Sequence, residues 1–195
     1  MRAMSEACTD MTTTKLLPET AEILAARAKW QFRGRERPEF AESPRDGQTS
    51  VWDFPRPPII QACPERLRVL IRGQEVAATN RGVHVIETAG APTYYFPPLD
   101  VDTDRLEFVD DLSLCEWKGL AEQINVDGIA NAGWRYVQVF EEFYELANWM
   151  SFYPAKVECF VGDERATAQP GGYYGGWVTK DLAGPIKGLP GSQAW

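Results

Sequence analysis

The chain has 195 residues, 44% hydrophobic and 25% charged, which suits one globular domain with additional segments. Its formal net charge of −8 lies entirely beyond residue 50, because the first fifty residues hold eight basic and eight acidic side chains. An acidic main domain repels phosphate backbones, so no nucleic-acid partner is expected, although a single nucleotide in a local Arg/Lys pocket stays open.

No run approaches the ~18 apolar residues of a membrane-spanning helix, and no apolar signal segment opens the chain. We therefore expect a cytoplasmic protein with no membrane partner. Cys8, Cys63, Cys115 and Cys159 are far apart, and His84 is the sole histidine. Zinc sites take closely spaced Cys or His pairs. No metal, no cofactor and free thiols are the expectation.

Residues 1–17 are polar and read as disordered. From Pro18 the spacing of Ile23, Leu24, Arg27 and Trp30 predicts an amphipathic helix over 18–33. The charged, turn-rich run 34–49 reads as a linker. A β domain is expected over 50–168. Short β-rich runs follow one another at Leu67–Arg72, Glu75–Thr79, Val83–Thr88 and Thr93–Phe96. Ala121–Val126 and Ile129–Val137 flank Asp127-Gly128, a strong hairpin signal. Glu141–Trp149 reads as the one helix of this domain, and Ser151–Tyr153 and Lys156–Val161 close the sheet. Strands so closely spaced leave little room for crossover helices, so the fold class is mainly β and antiparallel. The tail 169–195 interleaves seven glycines with Tyr173, Tyr174, Trp177 and Trp195. It cannot build a core of its own and is expected to wrap the domain.

Four runs carry candidate chemistry. In Ser50-Val-Trp-Asp-Phe-Pro-Arg-Pro-Pro58 the prolines hold the backbone extended. Arg56 there is either an anion clamp or a surface ion-pair member beside a core Trp52 on an edge strand. Cys115-Glu-Trp-Lys-Gly119, placed on a strand, puts Cys115 and Trp117 on one face and Glu116 and Lys118 on the other. Cys115 is a catalytic thiol or a core residue; no base is placed beside it. Trp134 and Tyr136 share a face, with Tyr95 joining them if its strand is adjacent, as a wall for a flat ligand or as packing. Asp100, Asp102, Asp104 and Asp111 imitate a calcium loop, but Arg105 stands where glycine is needed, which leaves a solvated acidic loop.

Gly171-Gly-Tyr-Tyr-Gly-Gly176 has no following Lys-Ser/Thr and is no phosphate loop. Taken in order, SVWDFPRPP (50–58), TYYFP (93–97), CEWKGLA (115–121), AGWRY (132–136) and FYPAKVECFVGDE (152–164) resemble domain-of-unknown-function family 427, labelled nucleotidyltransferase-like in places. The segment 169–191 is similar to the glycine-rich extension of its longer members, found in cyanobacteria and other bacteria. The resemblance implies a compact β-tent or barrel-like domain with a central concavity and no established activity. No Gly-Ser…Asp-x-Asp metal site of a nucleotidyltransferase is present. Gln123 and the segment Val137–Val139 depart from the family pattern.

Three functions follow as expectations. The first is a small-molecule-binding module using Trp52, Arg56, Tyr95, Lys118, Trp134 and Tyr136, with Arg56 and Lys118 as cations. The second is an enzyme using Cys115 or Lys118. The third is an interaction module that takes a protein partner, or a second copy as a homo-oligomer, through the N-terminal helix and the aromatic tail.

Overall fold

A computed structural model describes residues 15–195. The expected disorder of residues 1–14, and Cys8 with it, lies outside the described residues. Lys15–Leu16 is extended and pairs in parallel with Gln138 and Val139. Helix α1 spans Ala21–Ala28, with the Thr20 side chain accepting from the Ile23 N–H at its start. It is shorter than the amphipathic pattern predicts. Trp30 and Gln31 are drawn into distant contacts instead: the Trp30 indole donates to Glu116 at 2.7 Å, and the Gln31 N–H donates to the Ala194 carbonyl.

The protein is mainly β. Its principal strands are β1 (Ile59–Ala62), β2 (Leu67–Ile71), β3 (Gln74–Thr79), β4 (Val83–Ile86) and β5 (Thr93–Tyr95). They are followed by β6 (Leu106–Cys115), β7 (Gly119–Val126), β8 (Ile129–Val139), β9 (Met150–Phe152) and β10 (Glu158–Val161). Strands β6, β7 and β8 form an antiparallel meander, with β9 and Lys15–Leu16 added to β8. This sheet curls into a half-barrel. A second sheet runs Glu164–Arg165, β10, β2, β3, and a third runs β1, β4, β5. Two short ribbons tie in the tail: Trp177–Val178 pairs with Thr167–Ala168, and Leu182–Ala183 runs parallel to Thr49–Ser50.

Strand β7 shows how this arrangement makes a site. Its two faces are covered along different halves: Ile124 and Val126 enter an apolar core with Leu67, Val69, Phe152, Cys159 and Trp177. Ala121 and Gln123 point the other way, toward an aromatic cluster of Tyr95, Trp117, Trp134 and Tyr136. Period-two alternation gives one strand two different environments. A third cluster sets Trp52 edge-on to Phe32, Phe40 and Trp195, joining the residues before the domain to the last residue of the tail.

Several local expectations are corrected. Ser50–Pro58 is not an edge strand: the Ser50 hydroxyl accepts from the Trp52 N–H and starts a 3-10 turn over Val51–Asp53. The acidic run is not simply a loop. Asp100 accepts from Thr79 and Arg81, and Asp110 and Asp111 stand on the long strand β6. The segment after Phe140 is a 3-10 helix, Glu141–Leu146, interrupted at Phe143 by a φ of −116°. Burial of Phe143 and Leu146 three residues apart anchors it, and Asn148 then turns into the left-handed region at φ 63°. Among the described residues no helix is long and apolar enough to cross a membrane.

Candidate functional site

The antiparallel register of β6 with β7 pairs Cys115 with Gly119, so Glu116, Trp117 and Lys118 form the connecting turn. This replaces the strand alternation expected for Cys115–Gly119. The chain can close there because residue 119 is glycine. Its φ is 138°, and a Cβ would lie 2.1 Å from the Gln138 carbonyl oxygen.

The turn stands at one end of a cavity of about 620 Å³, bounded by Tyr95, Trp134, Tyr136 and Tyr153 on the sheet side. The Trp134 ring lies 4.4 Å from that of Tyr153 and edge-on to Tyr95 at 6.3 Å. Tyr95 and Tyr136 approach to 6.4 Å. Sites for small organic ligands commonly enclose about 300–1,000 Å³, with apolar walls and few polar groups.

The segments flanking the β domain supply the other walls. From the N-terminal side comes Trp30, held at Glu116 by its indole N–H. Arg27 Nε donates to the Glu116 carbonyl at 2.7 Å, pinning the same turn. From the tail come Tyr174, Gly175 and Lys187. Gly175 lies so close to Trp134 that an added Cβ would be 2.0 Å from the ring. Lys187 is placed by its backbone: its N–H donates to Ala89, and its carbonyl accepts from the Gln169 amide.

Five charged groups meet at the inner end. Glu87, just past β4, accepts from Arg56 Nε at 2.9 Å and has Lys187 Nζ at 3.6 Å. Burial raises the Glu87 carboxyl, but Lys187, Lys118 and Arg56 outweigh it and hold the group below the ordinary carboxylate range. Burial disfavours the Lys118 ammonium, yet Cys115 and Tyr95, with Glu87 and Glu116 beyond them, keep it above the ordinary lysine range. Lys187 goes the opposite way. Burial lowers it, Glu87 opposes that, and the neighbouring Arg56 and Lys118 push it down again. Its ammonium packs 4.5 Å from the centre of the Trp30 ring and 5.0 Å from that of Tyr174.

Tyr95 is fully buried, and burial pushes its phenol up to about 12. Its hydroxyl and the Trp117 indole N–H have no hydrogen-bond partner among the described residues. Lys118 has no ion-pair partner within 4.0 Å among them either. Unpaired polar groups are costly in an apolar setting, and two of the six buried ones among the described residues, on Tyr95 and Trp117, belong to residues lining this cavity.

Of the residues singled out from sequence, Tyr95, Cys115, Lys118, Trp134 and Tyr136 share this cavity. Arg56 does not line it. Its side chain is 0% exposed behind Glu87 and also donates to the Phe32 and Thr88 carbonyls at 2.8 Å. Trp52 is equally buried, in the aromatic cluster with Trp195. Arg56 and Lys118 thus both act on Glu87 without sharing a wall, since Lys118 lines the cavity and Arg56 does not. His84 is outside the cavity lining, with its ring near Gln61 and Tyr94. Sequence reasoning placed Glu116 beside Lys118 without giving it a role, and it did not assign Glu87, Trp30, Tyr174 or Lys187 to the site. Trp30 had a signal, an aromatic ending an amphipathic segment; the others are single charges or aromatics beside turns.

No group of three or more His, Cys, Asp or Glu residues suited to a metal occurs among the described residues. Residues 59–163 match the family model of the domain of unknown function DUF427, and the chain belongs to that family. No curated protein matches the chain. The matched region contributes Glu87, Tyr95, Glu116, Lys118, Trp134 and Tyr136; Trp30, Arg56, Tyr174 and Lys187 lie outside it.

Proposed function

We propose that the protein is a small-molecule-binding module for a flat, anionic ligand. The negative group sits at Lys118, and the planar part lies against Tyr95, Trp134 and Tyr136. One observation carries the reading: Lys118 stands on the wall of a 620 Å³ aromatic cavity without a carboxylate in ion-pair range among the described residues. An ammonium in that setting gains from an anion what the protein does not itself supply. Three free thiols, Cys63, Cys115 and Cys159, suit a reducing cytoplasmic setting. Cys115 lines the same cavity, and catalysis through it is the second reading. It lacks the imidazole that usually activates a thiol, since His84 is elsewhere.

The test is a titration of tryptophan fluorescence with aromatic carboxylates, using wild type and Lys118→Gln. Trp30, Trp117 and Trp134 all line the cavity and will report occupancy. Saturable quenching that weakens about ten-fold or more in the variant, roughly 1.4 kcal/mol, is expected. Equal affinity in both proteins would contradict the assignment of Lys118.

A further inference from the structure

The charges around the cavity are nearly balanced, and the imbalance is informative. Its lining carries three carboxylates, Glu87, Asp111 and Glu116, and three amines, Lys118, Lys156 and Lys187. Asp111 and Lys156 are exposed at the rim, where solvent screens them. At the inner end Arg56 adds one further cation behind Glu87. The cations acting on Glu87 are Lys187, Lys118 and Arg56, and set against Glu87 and Glu116 they leave one positive charge in excess; Arg33 acts on Arg56 and donates to the Arg27 carbonyl. One negative charge neutralises that set. A second would have to be desolvated without a partner, which is expensive in a low-dielectric site.

The two lining lysines at this end have different origins. Lys118 belongs to the β6–β7 turn within the family region, and Lys187 to the tail outside it. Lys187 is 5% exposed at its side chain, yet its single carboxylate neighbour, Glu87, is already hydrogen-bonded to Arg56 at 2.9 Å. Both contacts fall on Oε1 of Glu87, and its one negative charge balances only one of the three cations. Trp30 and Tyr174, one from each flanking segment, place their rings 4.5 Å and 5.0 Å from the Lys187 ammonium.

We infer that the cavity selects a monoanion over neutral and dianionic molecules of the same shape. In this inference Lys187 is the specificity-determining residue, holding the single negative group jointly with Lys118. The ligand class is a flat aromatic or conjugated acid carrying one carboxylate or similarly charged oxyanion. Nucleoside triphosphates are rejected on charge. The inference rests on the binding reading above and narrows it.

The test uses the full chain and four probes built on one ring system: 2-naphthoate, 2-naphthamide, 2,3-naphthalenedicarboxylate and 2-naphthyl phosphate. Isothermal titration at pH 7 is compared for wild type, Lys187→Gln and Lys187→Arg. Wild type is expected to prefer 2-naphthoate over the amide and both dianions by ten-fold or more. In Lys187→Gln the acid-to-amide ratio should collapse toward one while the amide keeps its affinity, and Lys187→Arg should restore most of the preference. Amide and acid binding wild type equally would overturn the charge inference while leaving the cavity reading intact. Tighter binding of either dianion, or an unchanged ratio in Lys187→Gln, would overturn it too. Binding of none of the four would overturn both readings together.

Discussion

Arg56 and Lys118 both act on Glu87, and the protein treats them differently. Arg56 has a carboxylate and two backbone carbonyls within 2.9 Å and no exposed side-chain surface. Lys118 sits on a three-residue turn facing a cavity, with no such partners among the described residues. A buried cation with an acceptor at each of its three nitrogens fixes neighbouring segments to one another. One left without acceptors beside aromatic rings is available to a ligand. Position near the centre of a site does not distinguish the two roles; the hydrogen-bond inventory does.

The largest expected effect sharpens that contrast. Arg56→Ala removes the hydrogen-bonded partner of Glu87, leaving Lys187 at 3.6 Å, and strands the Phe32 and Thr88 carbonyls, so urea unfolding should show a loss of about 3–5 kcal/mol. Lys118→Gln, which breaks no ion pair, should stay within about 1 kcal/mol of wild type. Equal losses would erase the distinction.

A smaller effect is expected in acid. Glu87 is held below its ordinary range in the folded protein. Its contribution is therefore complete above the unfolded carboxylate value of about 4.3 and is lost as pH falls through the lower folded value. Stability against pH should fall more steeply below about pH 5 in wild type than in Glu87→Gln. Parallel curves would show that Glu87 does not carry this linkage.

The smallest effect concerns thiols. Burial pushes Cys63 up to about 12 and Cys159 well above its ordinary value, whereas Cys115 is half-buried on the cavity. Of these three, Cys115 should be alkylated first by iodoacetamide at pH 8, and bound 2-naphthoate should slow it severalfold. Peptide mapping reads both results. Unprotected labelling of Cys115 with ligand bound would place the ligand elsewhere.

Much of the fold was legible because β signals are local. The Asp127-Gly128 hairpin, the run at Leu67 and the strand at Thr93 each announce themselves within a few residues. Strand β6 was missed because Leu-Glu-Phe-Val-Asp-Asp-Leu-Ser-Leu-Cys contains a bulge between Val109 and Leu112 that breaks the alternation. The shared face of Trp134 and Tyr136 could be read from their spacing. The company of Glu87, Lys187 and Trp30 could not: Glu87 and Lys187 are a hundred positions apart and meet through tertiary packing alone. For the same reason Arg56, conspicuous between prolines, gave no sign that Glu87 would stand between it and the cavity.

Native mass spectrometry of gently purified protein, set against its denatured mass, asks whether this cavity holds a small anion. A discrete noncovalent mass of a small acid is expected in wild type and is expected to be absent from Lys118→Gln. A wild-type mass equal to the bare chain, still unchanged after incubation with millimolar 2-naphthoate, would contradict it.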